Sequence, residues 1–226
     1  LGALLFLAAP PFRQALRVAT LPWARVFQSN SSDDQPRLAA LTRRAVQRGD
    51  AEGIAFCAVR LWNAPISARL AREAVRLDPN LLWVYAVVAV RHPELREVSE
   101  WVPQLERWDP ENALFPLITA ERIDISHVDR EDFRTRGSEK DPAWRSAMTA
   151  VFQSPKFDDY LDRVEELDRR VVARYRFNDP EEVLFQQDYS GGLPTYAWED
   201  SHQFASSLIQ SGEDLEARGD RKGARA

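Results

Sequence analysis

The chain has 226 residues, 44% of them hydrophobic and 29% charged, which is long enough for a sizeable core and excludes a disordered polymer. Its one cysteine, Cys57, excludes an internal disulfide and any cysteine-built zinc cluster. The net charge of −5 is unevenly spread: three of the 30 Lys and Arg lie in residues 1–32 with no acid beside them, so the other 27 face all 35 acidic residues, and a body at −8 is a poor partner for nucleic acid.

The first stretch, LGALLFLAA, carries Leu4, Leu5 and Phe6 and runs apolar up to Pro10-Pro11. A membrane crossing needs about 20 apolar residues, so this stretch suits the tail of a longer span or signal segment. Beyond it Phe12, Leu16, Trp23 and Phe27 recur at helical spacing, with Arg13, Arg17 and Arg25 between them and Pro22 interrupting. An apolar stripe beside arginines predicts a membrane-proximal interfacial helix, with these ten side chains in contact with lipid. The alternative is a first helix that packs on the rest of the chain. The polar SNSSDDQP, residues 29–36, is the best boundary, dividing an apolar, basic segment 1–32 from a helical domain 33–226.

Four Asp-Pro pairs punctuate that domain, at Asp78, Asp109, Asp141 and Asp179, separated by 31, 32 and 38 residues. Aspartate accepts the open amide hydrogens of a first helical turn, and proline is tolerated at the first helical position. Each pair is therefore expected to start a helix and end the one before it. The interval leaves room for two helices, the period of a helical-hairpin repeat.

The elements follow in order. RGDAEGIA (Arg48–Ala55) reads as the corner of a helical hairpin, and Cys57 in GIAFCAV as a buried structural cysteine. Ile66, Leu70, Ala74 and Leu77 form an apolar stripe. LLWVYAVVAV, residues 81–90, would suit a buried strand or a buried helix, and the helices on both sides favour the helix. Leu95, Val98, Trp101, Leu105 and Trp108 form the next stripe, with Pro103 expected to kink it. DISHVDREDFRTRGSEK, residues 124–140, is polar enough to be a solvated loop. Phe157, Tyr160, Val164, Leu167, Val171 and Tyr175 predict an amphipathic helix with Ser154 as cap and Pro155 as first residue. Asp158 and Asp159 come early in it and Arg169, Arg170 and Arg174 late, as the helix dipole favours. YSGGLPTYAW then places Tyr189, Tyr196 and Trp198 around a Pro/Gly loop, either as partner-binding anchors or folded back onto a neighbouring helix. RGDRKGAR (Arg218–Arg225) repeats the earlier corner, and the helix it would open predicts further repeat beyond residue 226.

AREAVRLDPN (Ala71–Asn80) resembles the closing half of a tetratricopeptide repeat, with Ala74 five positions before Pro79. GEDLEARGDRKGA resembles the first half, with Gly212 and Ala224 twelve apart. The resemblance implies an all-α, irregular solenoid of antiparallel hairpins with a concave groove for a peptide or another protein. The spacing from Pro79 to Pro110 is shorter than the family's repeat of about 34 residues, and Pro103 and Pro116 fall where helix interiors should be.

Chemistry is sparse by comparison. No phosphate-cradling glycine loop or nucleophile motif is present, and Gly191-Gly192 reads as a turn. Asp124, His127 and Asp129 offer three ligand types within six residues, but in so acidic a chain a solvated loop is the expectation and no metal or other cofactor is expected. His92 and His202 read as turn and surface residues, and the neighbouring carboxylates Asp158-Asp159 and Glu165-Glu166 as solvated faces of a helix. The expected function is a non-catalytic protein–protein interaction scaffold at a membrane. The alternatives are an accessory subunit of a membrane assembly, a cytoplasmic location, and a hydrolase built on the Asp124–His127–Asp129 set.

Overall fold

The computed structural model describes residues 35–61, 63–127 and 141–175, and near the end residues 204–206, 208, 209, 213 and 216–218. Of these, 79% are helical and none lies in a strand, so the fold is all-α and the valine-rich run at 81–90 is not part of a sheet. Residues 1–32, with all ten side chains expected to touch a membrane, lie outside the described residues, as do Asp129, Asp179, Tyr189, Tyr196, Trp198 and His202.

The described residues fall into two compact units. The first comprises the residues up to Asp78 together with those from Leu161 onward to Tyr175. The second comprises Pro79–Tyr160 with the helical residues around Phe204.

In the first unit, α1 (Gln35–Arg48), α2 (Ala51–Ala58) and α3 (Ala64–Leu77) follow one another, α2 packing on both neighbours. The corner expected at RGDAEGIA is present. Gly49 takes φ 62°, the left-handed conformation glycine adopts without strain, and the next amide, of Asp50, donates to Ala45 O at 3.0 Å. Asp50 then caps α2 by accepting the Gly53 N–H. Asn63 caps α3 in the same way, accepting the Ile66 N–H at 3.1 Å, and the Ser67 hydroxyl donates to Ala58 O. The buried face of α3 is Ser67, Ala68, Leu70, Ala71 and Ala74. Ile66, expected in the apolar stripe, is exposed, since its helical position lies to the side of the face formed by Ser67, Leu70, Ala71 and Ala74. α8 (Leu161–Tyr175) returns more than 100 residues later and packs Val164, Leu167 and Val171 into this core against α2.

In the second unit a 3-10 turn (Pro79–Leu81) leads into α4 (Trp83–Arg91). The helix expected at 81–90 is therefore present, and Trp83, Val84, Tyr85, Ala86, Val88 and Ala89 are buried. α5 (Val98–Trp108) continues through Pro103 and stacks Trp101 on Tyr85 with ring centroids 4.5 Å apart. α6 (Leu114–His127) and α7 (Pro142–Gln153) pack together, and Leu117, Ala120, Trp144, Ala147, Met148 and Phe204 form a core cluster.

The Asp-Pro pairs do not all do what their local chemistry suggests. Asp141 caps α7 as expected, accepting the Ala143 N–H at 2.7 Å. Asp78 closes α3, and Pro79 starts only the 3-10 turn. Asp109 closes α5, while α6 begins at Leu114 with its amide donating to the Asn112 side chain. The Asp109 carboxylate is already taken by Lys156 and Tyr160.

The start of α8 is a second correction. Ser154 ends α7 rather than capping the next helix, Phe157 is exposed, and Tyr160 sits at φ 60° just before the first helical residue, Leu161. The backbone of 155–160 stays non-helical where it pairs with the turn at 111–113: the Ala113 N–H donates to Lys156 O at 2.9 Å, in an isolated parallel bridge of Asn112 to Lys156.

Candidate functional site

None of the residues singled out as membrane or partner contacts is among those described. The Asp124–His127 stretch, expected as a solvated loop, instead continues α6, and Asp124 is buried at 1% exposure. Ten residues of established helix precede it, and extending a helix costs far less than starting one, so polar residues are carried along. Among the described residues no three His, Cys, Asp or Glu side chains are arranged to hold a metal ion. Cys57 is fully buried on α2, and burial pushes its thiol up to about 12, out of the reactive range. His92, expected in a turn, caps the C-terminus of α4 and is buried, its Nδ1 3.5 Å from Glu94 Oε1.

Three groupings stand out instead. The first lies at the hairpin corner of the first unit. Asp50 and Glu52 receive Arg174, Glu52 also receives Arg170 at 2.7 Å, and the Tyr175 hydroxyl donates to Asp50 at 2.8 Å. Burial pushes the Asp50 carboxyl up. The Gly53 amide, Tyr175 hydroxyl and Arg174 guanidinium outweigh it and hold the carboxyl below its usual value. Deeper in the same unit Arg60 pairs with Asp168, its guanidinium 3.8 Å from the Phe56 ring centre. Both sets are ionic contacts that fasten α2 and the turn after it to α8, although Asp168 Oδ1 is buried without a hydrogen-bond partner among the described residues.

The second grouping is the turn between α5 and α6. Asn112 is its hub: its Oδ1 accepts the Asp158 N–H at 3.0 Å and its Nδ2 donates to Asp158 O and to the Tyr160 hydroxyl, both at 2.9 Å. The Tyr160 hydroxyl donates to Asp109 at 2.8 Å, and Lys156 Nζ lies 2.7 Å from the same carboxylate. Sequence reasoning missed this cluster, because its members lie about 50 residues apart in the chain.

The third is apolar and open. Phe152, at the end of α7, is 60% exposed and stacks on Phe204 with centroids 5.5 Å apart. Phe204 anchors that ring against the core through an edge contact with Trp144. One turn beyond Phe204, Leu208 and Ile209 are 57% and 65% exposed. Among the described residues of this unit Phe157 is the other exposed phenylalanine.

No protein-family model, curated protein or solved structure matches the chain. Among the described residues no helix is long and apolar enough to cross a membrane.

Proposed function

We propose that the chain is a non-catalytic scaffold of tetratricopeptide-like helical hairpins that docks a segment of another protein, held beside a membrane by residues 1–32. The observation that carries the docking is the exposed Phe152 ring stacked on the buried Phe204, with Leu208 and Ile209 also exposed on the turn after Phe204. Large apolar side chains left in water cost solubility, and clustered ones mark interaction surfaces. An aromatic anchor backed by a rigid core is the kind of residue that dominates protein–protein binding.

The partner is a protein segment with apolar side chains flanked by Lys or Arg. The balance of −8 outside residues 1–32 steers such a segment towards the body and disfavours acidic ones. Tyr189, Tyr196 and Trp198 are further candidates for contacts with it. The −8 body beside a +3 segment also supports a membrane-side position, with the arginines facing anionic headgroups.

Fluorescence anisotropy with a panel of labelled peptides tests the docking. Apolar-basic helical peptides are expected to bind, acidic ones of equal hydropathy to bind weakly, and Phe152→Ser to weaken binding at least about tenfold. Equal affinity for basic and acidic peptides, or for Phe152→Ser and the native chain, would refute it. Flotation on anionic vesicles, comparing the full chain with one beginning at Asp33, tests the membrane arm, and equal partitioning would remove it.

A further inference from the structure

Residues 154–160 run across the α5–α6 turn as a strap whose fastening is unusual. Pro155, Lys156 and Phe157 are exposed, so Tyr160 supplies the one large apolar side chain that the strap buries. The rest of the hold is polar and converges on residues 109–113 of the turn. Asn112 makes three bonds to the strap, Asp109 takes Lys156 and the Tyr160 hydroxyl, and the backbones of Glu111 and Ala113 pair with Lys156. These bonds share partners, so losing one removes the geometry that supports the next. Tyr160 also takes φ 60°, a conformation a bulky residue adopts only when its surroundings hold it there. Its amide is fixed by Asp158 Oδ1 at 2.8 Å and its hydroxyl by Asp109 and Asn112.

We propose that residues 154–160 are a releasable strap: it opens as one cooperative piece, letting Tyr160 relax to negative φ while helices α4 to α7 stay folded. Few buried apolar contacts and many shared polar ones place the strap among the segments that open locally before the whole molecule does. Release needs no docking partner, so it stands or falls apart from the proposed function. Phe157 rides on the strap, and opening frees that ring from its fixed pose.

Acid is one trigger. Burial pushes the Asp109 carboxyl up, but Lys156, Tyr160 and Asn112 outweigh it, and the net effect lowers it below its ordinary 3.8. A depressed carboxyl contributes stability that is fully present above 3.8 and is lost as pH falls through the folded value. The charged and titratable groups facing this cluster are Lys156, Tyr160, Asp158 and Glu111. The Lys156 ammonium is held up by its bond to Asp109, so it stays charged over the same range.

Hydrogen exchange read by mass spectrometry on the whole chain tests the strap. Peptides covering 154–160 are expected to exchange at least about tenfold faster than those of α7, and Asn112→Ala to add about another tenfold there while α7 is unchanged. Lowering the pH from 7 to 3 is expected to cost the strap protection, after correction for intrinsic exchange rates, before α7 loses any. Strap and α7 exchanging together at one rate, or Asn112→Ala leaving the strap unchanged, would overturn the proposal. Should circular dichroism show that Asn112→Ala does not fold, Tyr160→Phe removes the hydroxyl alone. It is expected to raise strap exchange at least about threefold, and no change there would overturn the proposal equally.

Discussion

Gly53 sits inside α2, where a residue without a side chain normally weakens a helix by about 1 kcal/mol relative to alanine. A β-carbon there would lie 2.8 Å from an Asp50 carboxylate oxygen and 3.0 Å from both Ala45 Cβ and the Tyr175 hydroxyl. Those groups are the helix cap and its partner from α8, so the added methyl would have to displace the fastening itself. Gly53→Ala is accordingly expected to destabilise the protein by about 1–3 kcal/mol, despite the gain in helix propensity. Urea denaturation checks it, and a stabilised variant would show that Tyr175 gives way without cost. The glycine was visible in RGDAEGIA, but not what pressed on it. Tyr175 arrives from 122 positions further along the chain, a distance no local pattern spans.

At the scale of elements, α8 is joined to α2 by an apolar seam and by the buried pair of Arg60 and Asp168. Burial drives the Asp168 carboxyl up and the Arg60 guanidinium down, against their mutual attraction, so desolvation is the larger effect on each partner. Removing one partner leaves the other charge buried: Asp168→Ala is expected to cost about 3–5 kcal/mol. The paired change of Arg60→Met with Asp168→Leu is expected to be nearly neutral or stabilising. Thermal unfolding of the native chain and both variants checks this. A double variant as unstable as Asp168→Ala would mean the pair itself, not its desolvation, holds α8.

Elements with a strong local signal were legible. The corner at Gly49 and Asp50 and the Asp141 cap follow from nearby residue chemistry, whereas the helix at 81–90 was favoured over a strand only by the helices on both sides of it. The start of α8 was not legible, because Ser154-Pro155 makes a good cap and first residue in isolation. The turn at 109–113 claims that backbone instead, and the helix waits until Leu161. Asp109 failed as a cap for the same reason, its carboxylate being occupied by Lys156 and Tyr160. The polar stretch from Asp124 misled in the other direction, since α6 had already been started by the apolar residues before it.

Across the whole molecule, helical character was readable from the stripes and caps, whereas the return of α8 onto α2 was not. In a solenoid each repeat touches its neighbours, and this long-range pairing departs from that arrangement. The apolar face was equally hidden. Phe152 and Phe204 are separated by 52 positions, and nothing in either local sequence marks them as stacked. That face is where the proposed docking acts. The most direct measurement is nuclear magnetic resonance mapping of the isotope-labelled chain titrated with an apolar-basic peptide. The predicted result is a cluster of shifted amides at residues 150–157 and 204–209, with those of α1 to α3 unmoved. Shifts concentrated on α1 to α3, or none at saturating peptide, would contradict a docking face built on Phe152 and Phe204.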